Sequence, residues 1–414
     1  TRSSRRNSPK KPGKNLALET DFKGKWRSLS LLMVAEVAGM GLWFMSAAIL
    51  PDLTREFPIS EMRQAALSSA VQIGFVAGAL ASALLGLADR IDPRRLFAFS
   101  AITAALFNAS LLVVEPGGAV SILARFATGA LLAGVYPVGM KIAVGWGQKD
   151  RGFLVGALVG ALTLGSAAPH LLALLGGADW RWSLTVASLA SAIGGILCLF
   201  AGLGPFHAKA PRMKIDAIFT AWTNPRIRYA YAGYLGHMWE LYAMWAWIGV
   251  ALTLSFSAHM AQSDAVSLSR LIAFLTIAAG GVASVFAGIV ADRVGKANIA
   301  ILAMVVSGTA AVASALTFGG PVWLTIVCVL VWGAAILPDS AQFSALVADY
   351  APPEQAGSLL SFQTALGFAL TFFTVQLTPL GAELIGWPGM FTLMAIGPAL
   401  GILGMLRLKR ISLR

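Results

Sequence analysis

Charged side chains are scarce in this sequence. Only 12% of its 414 residues are Asp, Glu, Lys or Arg, whereas about 25% is usual in a soluble domain. Runs of roughly 20 apolar residues recur along the chain, and each is long enough to cross a bilayer as a helix. With a mean hydropathy of +0.75, this composition excludes a water-soluble domain and predicts an integral membrane protein. No segment alternates with period two, which argues against a lipid-facing β-barrel.

Residues that could form a disulfide, a metal cluster or an enzyme site are also few. The two cysteines, Cys198 and Cys328, each lie inside an apolar run, where packing is their expected role. The sequence contains no phosphate-binding loop with Lys-Ser/Thr, no nucleophile elbow and no zinc motif. We therefore expect no cofactor, no metal, no direct use of ATP and no enzyme activity.

Twelve apolar runs predict twelve transmembrane helices. Most of the 31 Lys and Arg residues fall in the N-terminal tail, in alternate loops and in the C-terminal tail, and the positive-inside rule then places both termini in the cytoplasm. The fold class predicted is an all-α membrane protein. Its spans are expected at 28–50, 64–88, 95–114, 119–143, 153–175, 182–203, 228–255, 268–291, 298–317, 321–347, 357–380 and 389–406.

The net charge of +12 is explained by this topology and requires no nucleic-acid partner. The basic tail, residues 1–27, supplies much of it. Leu18, Phe22 and Trp26 recur every four residues between basic side chains, which predicts a short helix on the anionic inner leaflet of the lipid bilayer. Residues 1–14 are expected to be disordered.

The chain carries an internal repeat. Glu36, Met40 and Trp43 recur 204 residues later as Glu240, Met244 and Trp247, and ADR at 88–90 recurs as ADR at 291–293. Further matches at nearly the same offset predict two pseudo-symmetric six-helix bundles, which is a transporter plan. We name residues 28–203 the N half and residues 228–406 the C half. The linker is 204–227 and the C-terminal tail is 407–414.

Three short motifs indicate which kind of transporter the sequence resembles. GIVADRVGKA (288–297), GLADRIDPRR (86–95) and RFATGALLAG (125–134) resemble the loop and fourth-helix signatures of the major facilitator superfamily, although Asp92 stands where the loop signature has Gly. The resemblance implies a monomeric, multi-pass carrier in a bacterial inner membrane. It also implies a cytoplasmic gate formed by Asp89, Arg90, Asp292 and Arg293, in which each aspartate caps a helix of the other half.

Within that superfamily the chain resembles a bacterial group similar to nitrate/nitrite and cyanate porters. The segments that carry this resemblance are GVYPVGMK, GALTLGSAAPH, GHMWELYAMWAW and DSAQFSALV. Nitrate porters hold their substrate with arginines in the second and eighth spans. Residues 64–88 and 271–291 contain no arginine, so a nitrate clamp of that design is not expected.

Four ionisable side chains lie well inside predicted spans, namely Glu36, Glu240, Asp339 and Arg125. Burial of such groups is costly, so a functional role is the default interpretation, with helix-tying ion pairs as the alternative. Because desolvation disfavours a charged carboxylate, the three acids are candidates for proton coupling. Arg125 is a candidate counter-charge for Glu36. Asp339 follows a proline, so a capped helix break is equally compatible with it.

Helical spacing places each repeated glutamate on one stripe with Met and Trp. The resemblance places both stripes on the central cavity, so we expect Glu36 and Glu240 to face each other across the substrate path. A metal site at His237-x-x-Glu240 is not expected, because no second such pair is present. The residues predicted to contact substrate are Trp43, Met40, His237, Met244, Trp247, Trp332, Gln342, Gln363 and His170.

These features predict a proton-coupled secondary transporter. Three acids against one base, with Trp nearby, favour a cationic or protonatable organic solute. The first alternative is a carrier of small anions, such as nitrate, cyanate or an organic acid, using Arg125. The second alternative is a membrane sensor or receptor that binds a solute without moving it.

Overall fold

The chain forms only helices in the part that the structure describes. The computed structural model describes residues 14–147, 151–177, 179–207, 217–352 and 355–412, without the side chains of residues 14–23, 88, 89, 151, 152, 217, 218 and 292. The helices are α1 (Lys14–Met40), α2 (Met45–Glu56), α3 (Glu61–Leu85), α4 (Leu87–Arg90), α5 (Pro93–Ser110), α6 (Ala119–Leu132), α7 (Tyr136–Val144), α8 (Arg151–Leu175), α9 (Trp180–Cys198), α10 (Ala217–Thr223), α11 (Pro225–Phe256), α12 (Gln262–Val294), α13 (Lys296–Thr317), α14 (Val322–Ile336), α15 (Ser340–Tyr350), α16 (Ala356–Met394) and α17 (Ile396–Ser412).

Each of the twelve predicted spans coincides with helical segments. Nine segments within the described ranges are long and apolar enough to cross a membrane, and one of them, Ala356–Ser412, covers two predicted spans. A left-handed Gly386 (φ 72°) divides those two spans inside α16. The helices α5 and α11 fall outside the nine, because α5 carries Arg94 and Arg95 and α11 is rich in polar aromatic residues.

The N-terminal tail differs from the expected short interfacial helix. The backbone of α1 runs without interruption from Lys14 to Met40. No proline stands in this range, and an isolated Gly24 is tolerated inside a helix. The segment predicted to lie on the inner leaflet and the first span therefore form one continuous helix. The expected disorder of the first residues concerns positions that lie almost wholly outside the described part of the chain.

Three spans are broken near the middle, and the twelfth is also interrupted, at Ala395 between α16 and α17. The first span is α1 and α2 with a turn at 41–44, the fourth is α6 and α7, and the tenth is α14 and α15. Pro338 lies at the break of the tenth span, where its missing N–H and its ring end a helix. Broken helices inside a membrane are tolerated where neighbouring groups satisfy the freed backbone, and at the first break the side chain of Arg125 bonds the carbonyl oxygens of Leu42 and Trp43.

The two halves meet mainly along two pairs of helices, with a smaller contact between α2 and α11. Across the halves, α8 packs on α12 and α3 packs on α16, while α5 on α9 and α11 on α17 are examples of packing within one half. The helix ends near Glu56, Ser60, Gly177 and Gln262 lie together on the face opposite the termini, which we name the distal face.

The fourth-helix signature has a packing role in this fold. A β-carbon at Gly129 on α6 would overlap the backbone of Val71 on α3, so only glycine allows this close approach. We predict that Gly129→Ala pushes α3 and α6 apart and destabilises the protein by about 1–3 kcal/mol, as overpacked sites do. The melting temperature of the purified variant measures the effect. Gly156→Ala is the control, since a β-carbon there meets nothing within 4 Å. Equal melting temperatures for the two variants would contradict the prediction.

Asp92, which departs from the loop signature, caps α5. Its Oδ1 accepts a hydrogen bond from the backbone N–H of Arg94 at 2.9 Å, and its Oδ2 lies 2.7 Å from Nη2 of the same arginine. The bond from the Arg94 side chain, opposed by partial burial, lowers the pKa of Asp92 from 3.8 to about 2. The residue that replaces glycine therefore fixes the start of the third span.

We predict that Asp92→Ala lowers stability by about 1 kcal/mol, the usual loss for an N-cap. A carboxylate with a depressed pKa contributes stability that is complete above its unfolded pKa and is lost as the pH falls through its folded pKa. The difference from the unchanged chain should therefore shrink between pH 3.8 and about pH 2. Melting temperatures of Asp92→Ala and of the unchanged chain, measured across this pH range, test the prediction. Ser60→Ala is the control, because Ser60 begins α3 without a side-chain cap.

Candidate functional site

Glu240 is completely buried inside the C half. Its Oε1 accepts a hydrogen bond from Ser307 Oγ on α13 at 2.7 Å, and its Oε2 accepts one from Trp332 Nε1 on α14 at 3.3 Å. Asp339 is its electrostatic neighbour. Trp332, predicted to contact substrate, is therefore a partner of the glutamate. No Lys or Arg pairs with Glu240 among the described residues, so the carboxyl group is held by neutral donors.

Glu36 occupies the equivalent place in the N half. It is completely buried, and its Oε2 lies in the space that a β-carbon at Gly139 of α7 would fill, 2.5 Å from that position. Tyr136 is its electrostatic neighbour. Neither carboxyl oxygen has a hydrogen-bond partner in the described part of the chain. The internal repeat thus places one carboxyl group inside each bundle.

The expectation that the two glutamates face each other across the substrate path is wrong. Glu240 points to α13 and α14 of its own half, and Glu36 points to α7 of its own half. Spacing along a helix shows which residues share a stripe but not which neighbour the stripe meets. In the N half the turn at 41–44 also interrupts the helical period between Glu36 and Trp43.

His237 and Asp339 form a second buried pair in the C half. The Nδ1 atom of His237 lies 2.9 Å from Oδ1 of Asp339, and the two side chains are 0% and 1% exposed. Asp339 stands immediately before α15, at the break of the tenth span, but its side chain does not cap that helix. The side chain of Asp339 therefore does not act as a helix cap, and its role in an ion or substrate site stays a prediction.

Arg125 is fully buried, and its partners are backbone carbonyls rather than a carboxylate. Its Nη2 donates to the oxygens of Leu42 and Trp43 at 3.0 and 2.7 Å, and its Nη1 donates to Asn108 Oδ1 at 2.9 Å. The predicted pairing with Glu36 is therefore not found; the guanidinium instead bonds carbonyl groups of the turn at 41–44. A cation at a helix C-terminus is favourable, and Arg125 stabilises the break between α1 and α2.

An aromatic cluster joins the two halves at this break. The ring of Trp43 lies 4.9 Å from Phe75 in the N half, and 5.8 Å from Tyr242 and 5.5 Å from Phe368 in the C half, measured between ring centroids. The indole N–H of Trp43 has no partner among the described residues. Trp43 is therefore one of the predicted substrate residues that lie between the halves.

The other predicted substrate residues are dispersed. Met40 and Met244 are buried in the apolar core. Trp247 donates from Nε1 to the oxygen of Val375 at 2.9 Å, inside the C half. His170 lies against the C half, where a β-carbon at Gly249 would be 3.4 Å from its Cε1. The last two predicted substrate residues, Gln342 and Gln363, are both buried in the C half.

The predicted cytoplasmic gate can be placed only in part. The side chains of Asp89 and Asp292 lie outside the described residues, so their capping role stays a prediction. Arg90 and Arg293 are exposed at the ends of α4 and α12. A search of the described residues for clusters of His, Cys, Asp and Glu that could hold a metal ion found none.

Sequence reasoning missed two features at the interface of the halves. Gln72 on α3 is buried, and its amide has no hydrogen-bond partner in the described part. It lies between Ser69, which bonds Gln376 of α16, and Phe75, which packs on Phe368 of α16. Arg270 on α12 bonds Asp52 on α2. In both cases, the sequence signal that could have revealed the feature is a polar or charged residue within an apolar run.

Comparisons with known proteins agree with this architecture. A model of the Major Facilitator Superfamily matches residues 32–267, which is more than half of the 414 residues. A search of curated proteins gave no match.

Solved structures give the same result for the fold. A mutant of the nucleoside transporter NupG is 15% identical with a TM-score of 0.68, covering 93% of this chain and 99% of that one. A D-xylose–proton symporter is 13% identical with a TM-score of 0.71, covering 92% and 96%. The xylose transporter XylE from E. coli, in a partially occluded inward open conformation, is 14% identical with a TM-score of 0.69, covering 92% and 97%. The chain belongs to the Major Facilitator Superfamily, and it is a multi-pass membrane transporter rather than an enzyme.

Proposed function

We propose that this transporter couples the movement of a small organic solute to protons, by alternating access, in a bacterial inner membrane with both termini in the cytoplasm. It is proposed to act as a monomer. The observation that carries the proposal is the pair of buried glutamates at equivalent positions of the two halves, neither of them matched by a basic side chain among the described residues.

Burial links such a group to protons. An isolated ionised carboxylate is far more costly to bury than the neutral acid, so a change of conformation that hydrates a buried carboxyl group also changes its proton occupancy. A transporter that exposes the group alternately to the two sides would carry the proton across. The His237–Asp339 pair and Glu240 together give the C half the richer set of proton sites, and Glu36 is the candidate in the N half.

The aromatic cluster is the proposed place of solute binding. Trp43, Tyr242 and Phe368 come from both halves, so a solute held among them would contact each half at once. Aromatic faces attract cations, which supports a cationic or protonatable solute. The carboxyl groups of Glu36 and Glu240 do not add to this preference, because they point into their own halves.

The anion-carrier alternative has less support. It needs a guanidinium available to an anion, and Arg125 already donates to Leu42, Trp43 and Asn108. The resemblance to nitrate/nitrite and cyanate porters therefore stays a prediction. It is not supported by a substrate-clamping arginine within the second span or the apolar part of the eighth span. A solute-binding receptor would use the same aromatic cluster, and only a flux measurement separates it from a carrier.

Proteoliposomes with an imposed pH gradient test the proposal. Labelled organic cations, neutral nucleosides and sugars, and nitrate or cyanate are offered in turn, while an internal pH dye records proton flux. We expect one class of organic solute to accumulate with the gradient, accompanied by a change of internal pH. Binding without flux would favour the receptor, nitrate uptake would favour the anion carrier, and flux without proton movement would refute coupling.

A further inference from the structure

A buried ion pair ties the two halves together at the distal face. The Nη2 atom of Arg270, on α12 of the C half, bonds to Oδ2 of Asp52 on α2 of the N half. The same guanidinium donates from Nη1 to the carbonyl oxygen of Gly177, just beyond α8 of the N half, at 2.9 Å. The Asp52 and Arg270 side chains are only 2% and 6% exposed. One arginine of the C half thus holds two separate segments of the N half.

A second polar contact between the halves joins α3 to α16. Ser69 Oγ on α3 donates to Gln376 Oε1 on α16 at 2.5 Å, and Gln376 Nε2 donates to the carbonyl oxygen of Met62 at 3.2 Å. Two further hydrogen bonds cross between the halves, one between the side chains of Glu61 and Glu383 and one between His170 and the backbone of Trp245. In this conformation the distal side is therefore closed by polar bonds that cross from one half to the other.

The internal repeat does not generate this ion pair. At the offset of 204 residues Asp52 corresponds to Phe256, and at 203 residues Arg270 corresponds to Leu67. Both counterparts are apolar and buried. The Asp52–Arg270 pair therefore has no counterpart in the internal repeat, unlike Glu36 and Glu240. The pseudo-symmetry of the two halves does not explain it.

We propose that Asp52 and Arg270 form a distal gate that stabilises the state closed on that side. Asp52 is the acidic partner of Arg270, whereas Asp52 also lies 3.6 Å from Nη1 of Arg55 in its own half, whose side chain is 46% exposed. Separation of the pair therefore leaves Arg270 without a counter-charge, and a buried charge without its partner is strongly unfavourable. When the halves separate distally, both groups become hydrated and the bond to Gly177 is lost. A contact made in only one of two states shifts the equilibrium toward that state. This inference rests on the proposed alternating access, but the test below does not require transport.

The experiment measures the distal opening directly. Spin labels are attached to cysteines introduced at Ser60 and Ser263, exposed positions of the N half and the C half at the distal face, in a chain whose native Cys198 and Cys328 are replaced by alanine. Distance distributions are recorded in the full chain reconstituted in lipid nanodiscs without solute. We expect Asp52→Asn to leave Arg270 unpaired and to raise the ratio of long to short distances about tenfold.

Matched variants keep the test decisive. Asp52→Asn combined with Arg270→Gln removes both charges, so its shift should be smaller than the sum of the two single shifts. Glu56→Gln removes an exposed pair with Arg181 within the N half at the same face (N–O distance 3.0 Å), and it should not change the distances. Unchanged distances in both single variants, or an equal shift in Glu56→Gln, would overturn the gate. Because no solute is present, absence of transport in proteoliposomes would refute the proposed function without affecting this result.

Discussion

Replacement of Glu240 by glutamine is expected to abolish proton-driven accumulation of solute while leaving solute exchange intact. Glutamine has the shape of the acid but binds no proton in the physiological range. Its amide oxygen can accept from Trp332 and its NH₂ group can donate to Ser307, whose hydroxyl both donates and accepts. The pocket around Glu240 should therefore keep its fold, so that the loss reports the proton and not the packing.

The measurement compares two assays on the same proteoliposomes. Accumulation under a pH gradient should fall about tenfold or more, a size typical of coupling between sites, whereas counterflow of labelled solute at equal pH should persist. Ser307→Ala is the control, because it removes a hydrogen bond and leaves the carboxyl group. If Glu240→Gln accumulates solute as the unchanged chain does, Glu240 is not the coupling site, and Glu36→Gln becomes the next variant.

The second large effect is expected for Arg125→Met. The substitution keeps much of the side-chain length but leaves the carbonyl oxygens of Leu42 and Trp43 and the amide oxygen of Asn108 without their donor. A buried polar group left unsatisfied destabilises by about 1–3 kcal/mol, and here four acceptors lose a donor, because Nε of Arg125 also donates to the carbonyl oxygen of Leu67 at 3.4 Å. We expect the melting temperature to fall by about 5 °C or more, together with loss of counterflow, because the turn that carries Trp43 is no longer fixed.

Arg181→Met is the matched control for this variant. Arg181 pairs with Glu56 at 3.0 Å, but the two side chains are 50% and 40% exposed, and an exposed pair contributes only about 0–1 kcal/mol. Its melting temperature should therefore stay close to that of the unchanged chain. If Arg125→Met melts as the control does, Arg125 does not stabilise the break of the first span, and a role in solute or proton binding alone would remain for it.

The spans were predictable because the bilayer imposes them. An apolar run that must cover the hydrocarbon core leaves few choices for its ends, and the helices found agree with the predicted spans. The equivalence of Glu36 and Glu240 was predictable too, because a repeated fold places repeated residues in equivalent surroundings. Both inferences use information that is local or periodic in the sequence.

The neighbours of these residues were not predictable in the same way. Trp247 shares a stripe of the continuous helix α11 with Glu240, yet it bonds Val375 while Glu240 bonds Ser307 and Trp332. Helical spacing does not state which helix packs on a stripe. The Asp52–Arg270 pair joins positions 218 residues apart, and no repeat or motif relates them. Contacts of this kind depend on how the two bundles dock.

The short helix α2 is held near its two ends by arginines from different halves. Arg125 holds the turn just before it, and Arg270 holds Asp52 near its last turn. Twelve residues make a rod of about 18 Å, with Trp43 at one end and the distal opening at the other. If the halves separate at the distal face, as proposed above, we expect α2 to carry part of that displacement to the turn that holds Trp43.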